Sequence, residues 1–367
     1  MPATVHLVYP SGPAISCPDA IGRNLALRLG KRFTVVTHPW EAIGVVRPGP
    51  DDVLLGHPHP APWTMFRMSA RMPGWRRIVV LCPYAHGSRG QVAFLDSSVR
   101  RAHRYLAITG PYWWRRAGAG PFAAWTGRME PVDLAVDRRD FPRIKAAFAS
   151  PGRRRFLYIG NTARPKNVPY LSEIARAMPE AEIAWAGTGS AIDGVRSLGL
   201  LDFARPAARD VVAGYDFLLT VGRSDANPAT VLEAMAWGLI PICTPQSGYE
   251  DEPGIVNVPL DDVEGSVRIL RRLQEAPAGM LDTLRAVNDR ELDRRYTWDR
   301  FSAQVEAAIT SDTKPGPIHM RATERLSLAA AALLEDHSPI RPRNLVHLLG
   351  ANRSHLGARV RRSGQQG

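Results

Sequence analysis

Short runs of apolar, β-branched residues alternate with helical stretches along most of this chain, and the alternation occurs in two series. The first runs TVHLVYP (4–10), the helical DAIGRNLALRL (19–29), FTVVTH (33–38) and DVLLGH (52–57). A helix around 62–72 precedes RIVVLCPY (77–84). A helix near 90–103 then leads to YLAITG (105–110), a helix near 111–118 and MEPVD (129–133). Apolar strands separated by helices form a parallel sheet covered on both faces. The pattern therefore predicts a doubly wound α/β unit. It restarts after the basic stretch SPGRRR (150–155) with strand FLYIG (156–160), helix VPYLSEIARAM (168–178) and strand EIAWAG (182–187). A helix near 207–213, strand FLLTV (217–221), helix 228–237 and strand IPICT (240–244) follow, then a strand in GIVNVPL (254–260) and three closing helices at 262–274, 278–292 and 297–310. The expected domains are 1–145, 146–312 and a basic tail, 313–367, with one helix at 322–335.

A length of 367 residues suits two such domains and an appendage. Cys17, Cys82 and Cys243 are odd in number and far apart, which argues against a disulfide framework and for a reducing compartment. MPATVHLVYP lacks a basic segment followed by an apolar one, and no apolar run reaches the ~18 residues that a membrane span needs. The expected location is the cytoplasm. Net charge is +12, unevenly distributed: +11 over residues 1–150, −4 over 151–310 and +5 over 311–367. A basic half and tail suit an anionic partner, such as a phosphorylated substrate or an anionic membrane surface at which the protein would sit peripherally. Nucleic acid is disfavoured, because no recognition motif interleaves aromatic and basic residues.

SDANPATVLEAMAWGLIPICTP (224–245) carries the chemistry. Asn227 is a helix-capping type, Pro228 suits the first helical position and Gly238 suits the C-terminal cap. The strand FLLTV precedes this helix, so Asp225 is expected at the carboxyl edge of a parallel sheet, where α/β proteins bind ligands. Free amides near Ala229, Thr230 and Val231, with the positive end of the helix dipole, favour a phosphate. Glu233, about one turn deeper, suits hydroxyl groups, and Asp225 suits a different set. Hydroxyls, then phosphate, then more hydroxyls is the order in a nucleoside diphosphate sugar.

DANPATVLEAMAWGLIP (225–241) resembles the E-x7-E region of family-4 retaining glycosyltransferases, which have the GT-B fold of two Rossmann-like domains facing a cleft. FLYIGNTARPKN (156–167) is similar to the family's strand and basic loop, AWAGTGS (184–190) to its next strand and turn, GYEDEPGIVNVP (248–259) to the segment after the motif, YTWDRF (296–301) to its closing helix and PVDLAVDRRDFP (131–142) to its interdomain segment. The resemblance implies that Glu233 binds ribose and that Asp225, in place of the family's usual Glu, contacts the transferred sugar. It also implies that Ala226, Asn227 and Pro228 touch the sugar through their backbone, that the Thr230 and Val231 amides meet the diphosphate and that Lys166 binds phosphate. Asn161 stands at the donor site where the family has an arginine, and Arg164 replaces that arginine. Asp225, Arg164 and Lys166 are the implied catalytic groups. The implied reaction is retaining and metal-independent, with no cofactor beyond the nucleotide-sugar substrate and with a glycan, lipid-linked or small-molecule acceptor on the N-terminal domain.

Gly12, in the loop after the first strand, is a further candidate for close backbone approach to the donor. His57, His59 and His86 are acceptor candidates at strand ends, where a neutral imidazole binds or deprotonates a hydroxyl. Trp113 and Trp114 either stack on an acceptor or fill a core. No Cys/His set has zinc spacing and no D-x-D motif is present, so no metal is expected. Two other readings fit the same residues: a GT-B sugar-nucleotide epimerase, and a non-catalytic basic binding protein with a degenerate donor site.

Overall fold

The computed structural model describes residues 3–10, 17–313 and 315–334. Gly12 and the basic stretch 341–364 lie outside the described residues. Contacts along the chain divide it into two units. One holds the residues through Ala107, then Ala117–Pro131 and the chain from Ser302; the other holds Ile108–Arg116 and Val132–Phe301.

The first unit is built on six parallel strands: β1 (Thr4–Val8), β2 (Thr34–His38), β3 (Val53–Gly56), β4 (Arg77–Cys82), β5 (Arg104–Ala107) and β6 (Met129–Pro131). Their order is β2-β1-β3-β4-β5-β6. The second unit carries β7 (Phe156–Ile159), β8 (Ile183–Ala186), β9 (Arg196–Gly199), β10 (Phe217–Thr220), β11 (Ile240–Cys243) and β12 (Val256–Asn257), ordered β12-β11-β10-β7-β8-β9 and again all parallel. The strongest apolar runs are those of the central strands. Every residue of β3, β4, β7, β8, β10 and β11 is buried, whereas the edge strands β2 and β9 are largely exposed. Exposure on an edge frees β9, RSLG, from any need to be apolar, and the sequence pattern missed it for that reason.

Several expectations need correction. The strand expected over 254–260 shrinks to Val256–Asn257. The helix expected at 90–103 is broken into Arg89–Val92, a 3-10 turn at Ala93–Leu95 and Asp96–Val99. The expected boundary at 145/146 falls instead after Pro131, because the following segment is bound into the second unit. Ile144 and Lys145 donate their amides to Trp237 O at 3.1 and 2.9 Å, and Val136 donates to Tyr296 O at 3.1 Å. Residues 302–312 belong to the first unit: Arg77 Nε donates to Ser311 O at 2.9 Å. Helix Ala322–Leu334 packs on residues 89–95, with Leu328 buried. Cys17, Cys82 and Cys243 form no disulfide with one another. No described helix is long and apolar enough to cross a membrane.

Candidate donor-sugar site

In the second unit the winding reverses between β7 and β10, with β8 and β9 on one side and β11 and β12 on the other. Such a reversal leaves a crevice beyond the carboxyl ends of the strands. β7 and β10 pair only through Phe156–Phe217 and Leu157–Leu218. The carboxyl-terminal halves of the two strands therefore part, and the loops that leave them, 160–167 and 221–228, flank the gap.

The first loop turns tightly against its neighbour. Trp185 Nε1 donates to Gly160 O at 2.8 Å, and a Cβ on Gly187 would stand 1.9 Å from that same oxygen, so only glycine fits at 187. Asn161 folds back on its own loop: its Oδ1 accepts from Ala163 N at 3.0 Å and its backbone oxygen accepts from Tyr158 OH at 2.6 Å. A 3-10 turn, Arg164–Lys166, then presents two cations. The Arg164 side chain is exposed and makes no hydrogen bond or ion pair to a described residue. The Lys166 ammonium is ion-paired with the Asp225 carboxylate of the second loop.

That second loop is fastened at several points. Arg223 N donates to Pro165 O at 2.9 Å, Asp225 N to Gln246 O at 3.1 Å and Asn227 N to Ser247 O at 3.1 Å. Asn227 is buried with φ of 53°, a left-handed conformation that asparagine tolerates better than most residues. Its Oδ1 is buried without a hydrogen-bond partner among the described residues.

The helix begins at Ala229 with Pro228 as its cap, one residue later than the sequence suggests. Asn227 does not cap it, because its backbone has already turned left-handed and its side-chain oxygen bonds no helix amide. Val231 N donates to Pro228 O at 3.1 Å, so this amide, expected at the diphosphate, is engaged within the chain. The Ala229 and Thr230 amides donate to no described residue. Gly238 closes the helix at φ of 91°, donating to Ala234 O and Met235 O, as its position in the sequence indicates.

Glu233 lies on this helix, half-buried and without a hydrogen-bond or ion partner among the described residues. Burial raises its carboxyl to about 7. Burial, and then the charge of Asp225, also hold the Tyr158 phenol well above its usual range.

Asn161, Arg164, Lys166, Asp225, Ala226, Asn227, Pro228, Thr230, Val231 and Glu233 thus all lie in the loops and the helix that follow β7 and β10. The candidate histidines belong to the first unit. His57 is buried at the end of β3 among the rings of Tyr9, Trp40 and Tyr84, with Nε2 3.3 Å from Tyr84 OH. Burial, then the neighbouring His59, pushes it down to about 3. His59 packs on Trp40 at 5.0 Å between ring centres. His86 is a core side chain, 2.8 Å from Tyr105 OH and ringed by Phe122 and Trp125, and burial lowers it to about 4.

Two features near the site have no local sequence signal. Tyr158 lies inside an apolar strand, where nothing marks its hydroxyl. Trp113, a candidate for acceptor stacking or for a core, is half-buried, and its indole N–H reaches two backbone carbonyls, Asp225 O at 2.9 Å and Gln246 O at 3.2 Å. Among the described residues, no cluster of three His, Cys, Asp or Glu side chains is placed to hold a metal ion.

Solved structures share this architecture. OtsA matches at a TM-score of 0.64 with 9% identity, covering 85% of this chain and 100% of that one. Sucrose-phosphate synthase from Thermosynechococcus elongatus matches at 0.62 with 12% identity, covering 83% and 97%. TarM matches at 0.56 with 9% identity, covering 72% and 55%, so the chain spans about half of TarM's length. A mutant of TarM from S. aureus has been solved with fondaparinux, alpha-GlcNAc-glycerol and UDP. The fold is GT-B. No family model matches the chain, and no curated protein does. At such low identities the likeness of this GT-B chain to its neighbours is one of fold, and its chemistry is read from its own residues.

Proposed function

We propose that this protein is a glycosyltransferase that transfers a sugar, with retention, from a nucleoside diphosphate sugar to a glycan, lipid-linked or small-molecule acceptor. The observation that carries the reading is the meeting of Lys166 and Asp225 across the β7–β10 reversal, beside the open amides of Ala229 and Thr230. Lys166, Arg164, which has no partner among the described residues, and the helix entrance supply positive charge where a diphosphate would leave. Preorganised charge of this kind is commonly the largest catalytic term. The same cations let the reaction run without a metal. Asp225 would then orient the transferred sugar and Glu233 the ribose. With attack on the face from which the diphosphate departs, the leaving phosphate accepts the acceptor's proton and no protein nucleophile is needed. The TarM mutant's complex with UDP is consistent with this donor class. The location that goes with this reading is the cytoplasm, at an anionic membrane face where the acceptor is lipid-linked.

The test is a thermal-shift screen of nucleotide sugars, followed by mass spectrometry of products with Glu233→Ala as control. The expected result is stabilisation by at least one nucleoside diphosphate sugar, a sugar-bearing product, and loss of both in a folded Glu233→Ala protein. Indifference to every activated sugar, or full transfer by Glu233→Ala, would overturn the donor-site assignment.

A further inference from the structure

The chain leaves the first unit after β5, contributes Ile108–Arg116 to the second unit and returns at Ala117. Helix Gly110–Ala117, which this excursion forms, lies against Asp225 and the segment 246–250. Tyr112 N donates to Gly248 O at 3.1 Å. Trp113 Nε1 donates to Asp225 O and Gln246 O, at 2.9 and 3.2 Å. Arg116 stacks on Tyr112 at 3.8 Å and reaches both oxygens of Glu250, at 2.8 and 2.9 Å. The helix starts at Gly110 with φ of 74°, where a Cβ would stand 2.5 Å from Gly248 O and 2.7 Å from Asn227 Oδ1. The helix therefore meets the loop over Asp225 and Asn227 at van der Waals distance, and a glycine is required for that approach.

These contacts differ in weight. The Arg116–Glu250 pair is substantially exposed, with 48% of the arginine side chain open to solvent, and such pairs contribute little. The Trp113 bond is of another kind. One N–H lies within reach of carbonyls from two separate segments, 225 and 246, and Asp225 N itself donates to Gln246 O. The three groups form a closed knot on the backbone of Asp225.

We propose that Trp113 is a positioning residue for the donor sugar: by binding both carbonyls it fixes the loop from which Asp225 meets Lys166, while leaving the ribose-facing Glu233 untouched. This rests on the donor-site reading above. Trp113 touches no reacting atom in this arrangement and acts through the place it gives Asp225. Loosening the knot moves the sugar-holding carboxylate relative to the diphosphate site, and a misplacement of about 1 Å at a reacting centre costs roughly 100-fold in rate.

The test compares the full-length protein with Trp113→Phe, which keeps an aromatic ring and removes the donor, and with Gly110→Ala, which pushes the helix off the loop without touching Trp113. Binding is measured with whichever of UDP, ADP and GDP shifts the wild type most, and turnover with the matching nucleotide sugar. The expected result is a split in both variants. Nucleoside diphosphate affinity stays within about twofold and kcat falls roughly 10- to 100-fold, while in Trp113→Phe the melting temperature drops by only about 2–4 °C. Wild-type kcat in Trp113→Phe overturns the proposal. So does a parallel loss of diphosphate affinity, kcat and melting temperature, which would make Trp113 an ordinary packing residue. A wild-type protein that binds no nucleoside diphosphate would instead remove the donor-site reading, and this inference with it.

Discussion

Lys166 and Asp225 are ion-paired across the point where the second sheet reverses its winding, one from the loop after β7 and one from the loop after β10. Each keeps some contact with solvent, at 24% and 15% of the side chain. A diphosphate placed there brings a second anion to the same ammonium, so the two substitutions should act in opposite directions on nucleotide affinity. Lys166→Ala removes the attraction and leaves Asp225 facing the phosphate, and nucleoside diphosphate binding should weaken. Asp225→Asn frees the ammonium, and binding should match or exceed that of the wild type. Both should lower transfer, Lys166→Ala by roughly 100- to 1,000-fold as for the loss of one charge-stabilising donor. Calorimetric titration with nucleoside diphosphate beside a transfer assay checks the signs. Weakened binding in both variants would show that the pair holds the loops together rather than serving the ligand.

Glu233 gives a pH signature. Burial raises its carboxyl from 4.5 to about 7. A carboxyl with a higher pKa folded than unfolded keeps its proton in the folded state between those values. Its contribution therefore favours the folded protein below that window and is lost as pH rises through it. Ribose hydroxyls donate to the ionised form, so nucleotide binding should release up to one proton and tighten between about pH 6 and about pH 8. Glu233→Gln should flatten both dependences. Titrations in two buffers of different ionisation enthalpy measure the released proton; equal heats in the wild type would count against the ribose contact.

Much of this fold was legible because its central strands are buried on both faces, so runs such as FLYI, IAWA and FLLT are almost entirely apolar. The helix carrying Glu233 was legible from Pro228 and Gly238, with its start displaced by one residue because Asn227 adopts a left-handed turn. What could not be read depends on contacts between residues distant in sequence. The Trp113 bond spans 112 residues to Asp225, and nothing local marks an indole as a donor to a remote loop. The burial of His57 and His86 likewise depends on rings from other strands, and their position at strand ends concealed it.

Those two histidines should make the first unit acid-sensitive. Burial lowers His57 to about 3 and His86 to about 4, from 6.5. A histidine with a depressed folded-state pKa contributes stability above 6.5 that is lost as pH falls towards the folded value, the reverse of the Glu233 sign in the other unit. Between pH 7 and about pH 5 each histidine should cost about 2 kcal/mol of stability. Urea unfolding followed at both pH values should show the loss, and His57→Gln or His86→Gln should roughly halve its slope. A slope unchanged in both variants would mean that neither imidazole is held neutral by the fold.

A structural pair in the second unit separates stability from function. Asp216 is fully buried and bonds the Lys145 ammonium at 2.8 Å, the Ala149 amide at 2.8 Å and the Arg155 amide at 3.1 Å. Lys145 is itself buried and also donates to Ala213 O at 3.2 Å. These groups tie the segment entering the unit to the start of β10, away from the loops that hold Lys166 and Asp225. Removing one partner leaves an uncompensated buried charge, so Asp216→Ala and Lys145→Ala should each destabilise by about 3–5 kcal/mol. Replacing both with apolar residues of similar volume, Asp216→Leu with Lys145→Met, should recover most of that loss, because the desolvation of two charges is removed together. At temperatures where the single variants stay folded, their nucleotide affinity should equal that of the wild type. Denaturant unfolding measures the first effect and calorimetry the second. A double variant as unstable as either single one would show that the two backbone amides bound by Asp216, rather than its charge balance with Lys145, dominate at this position.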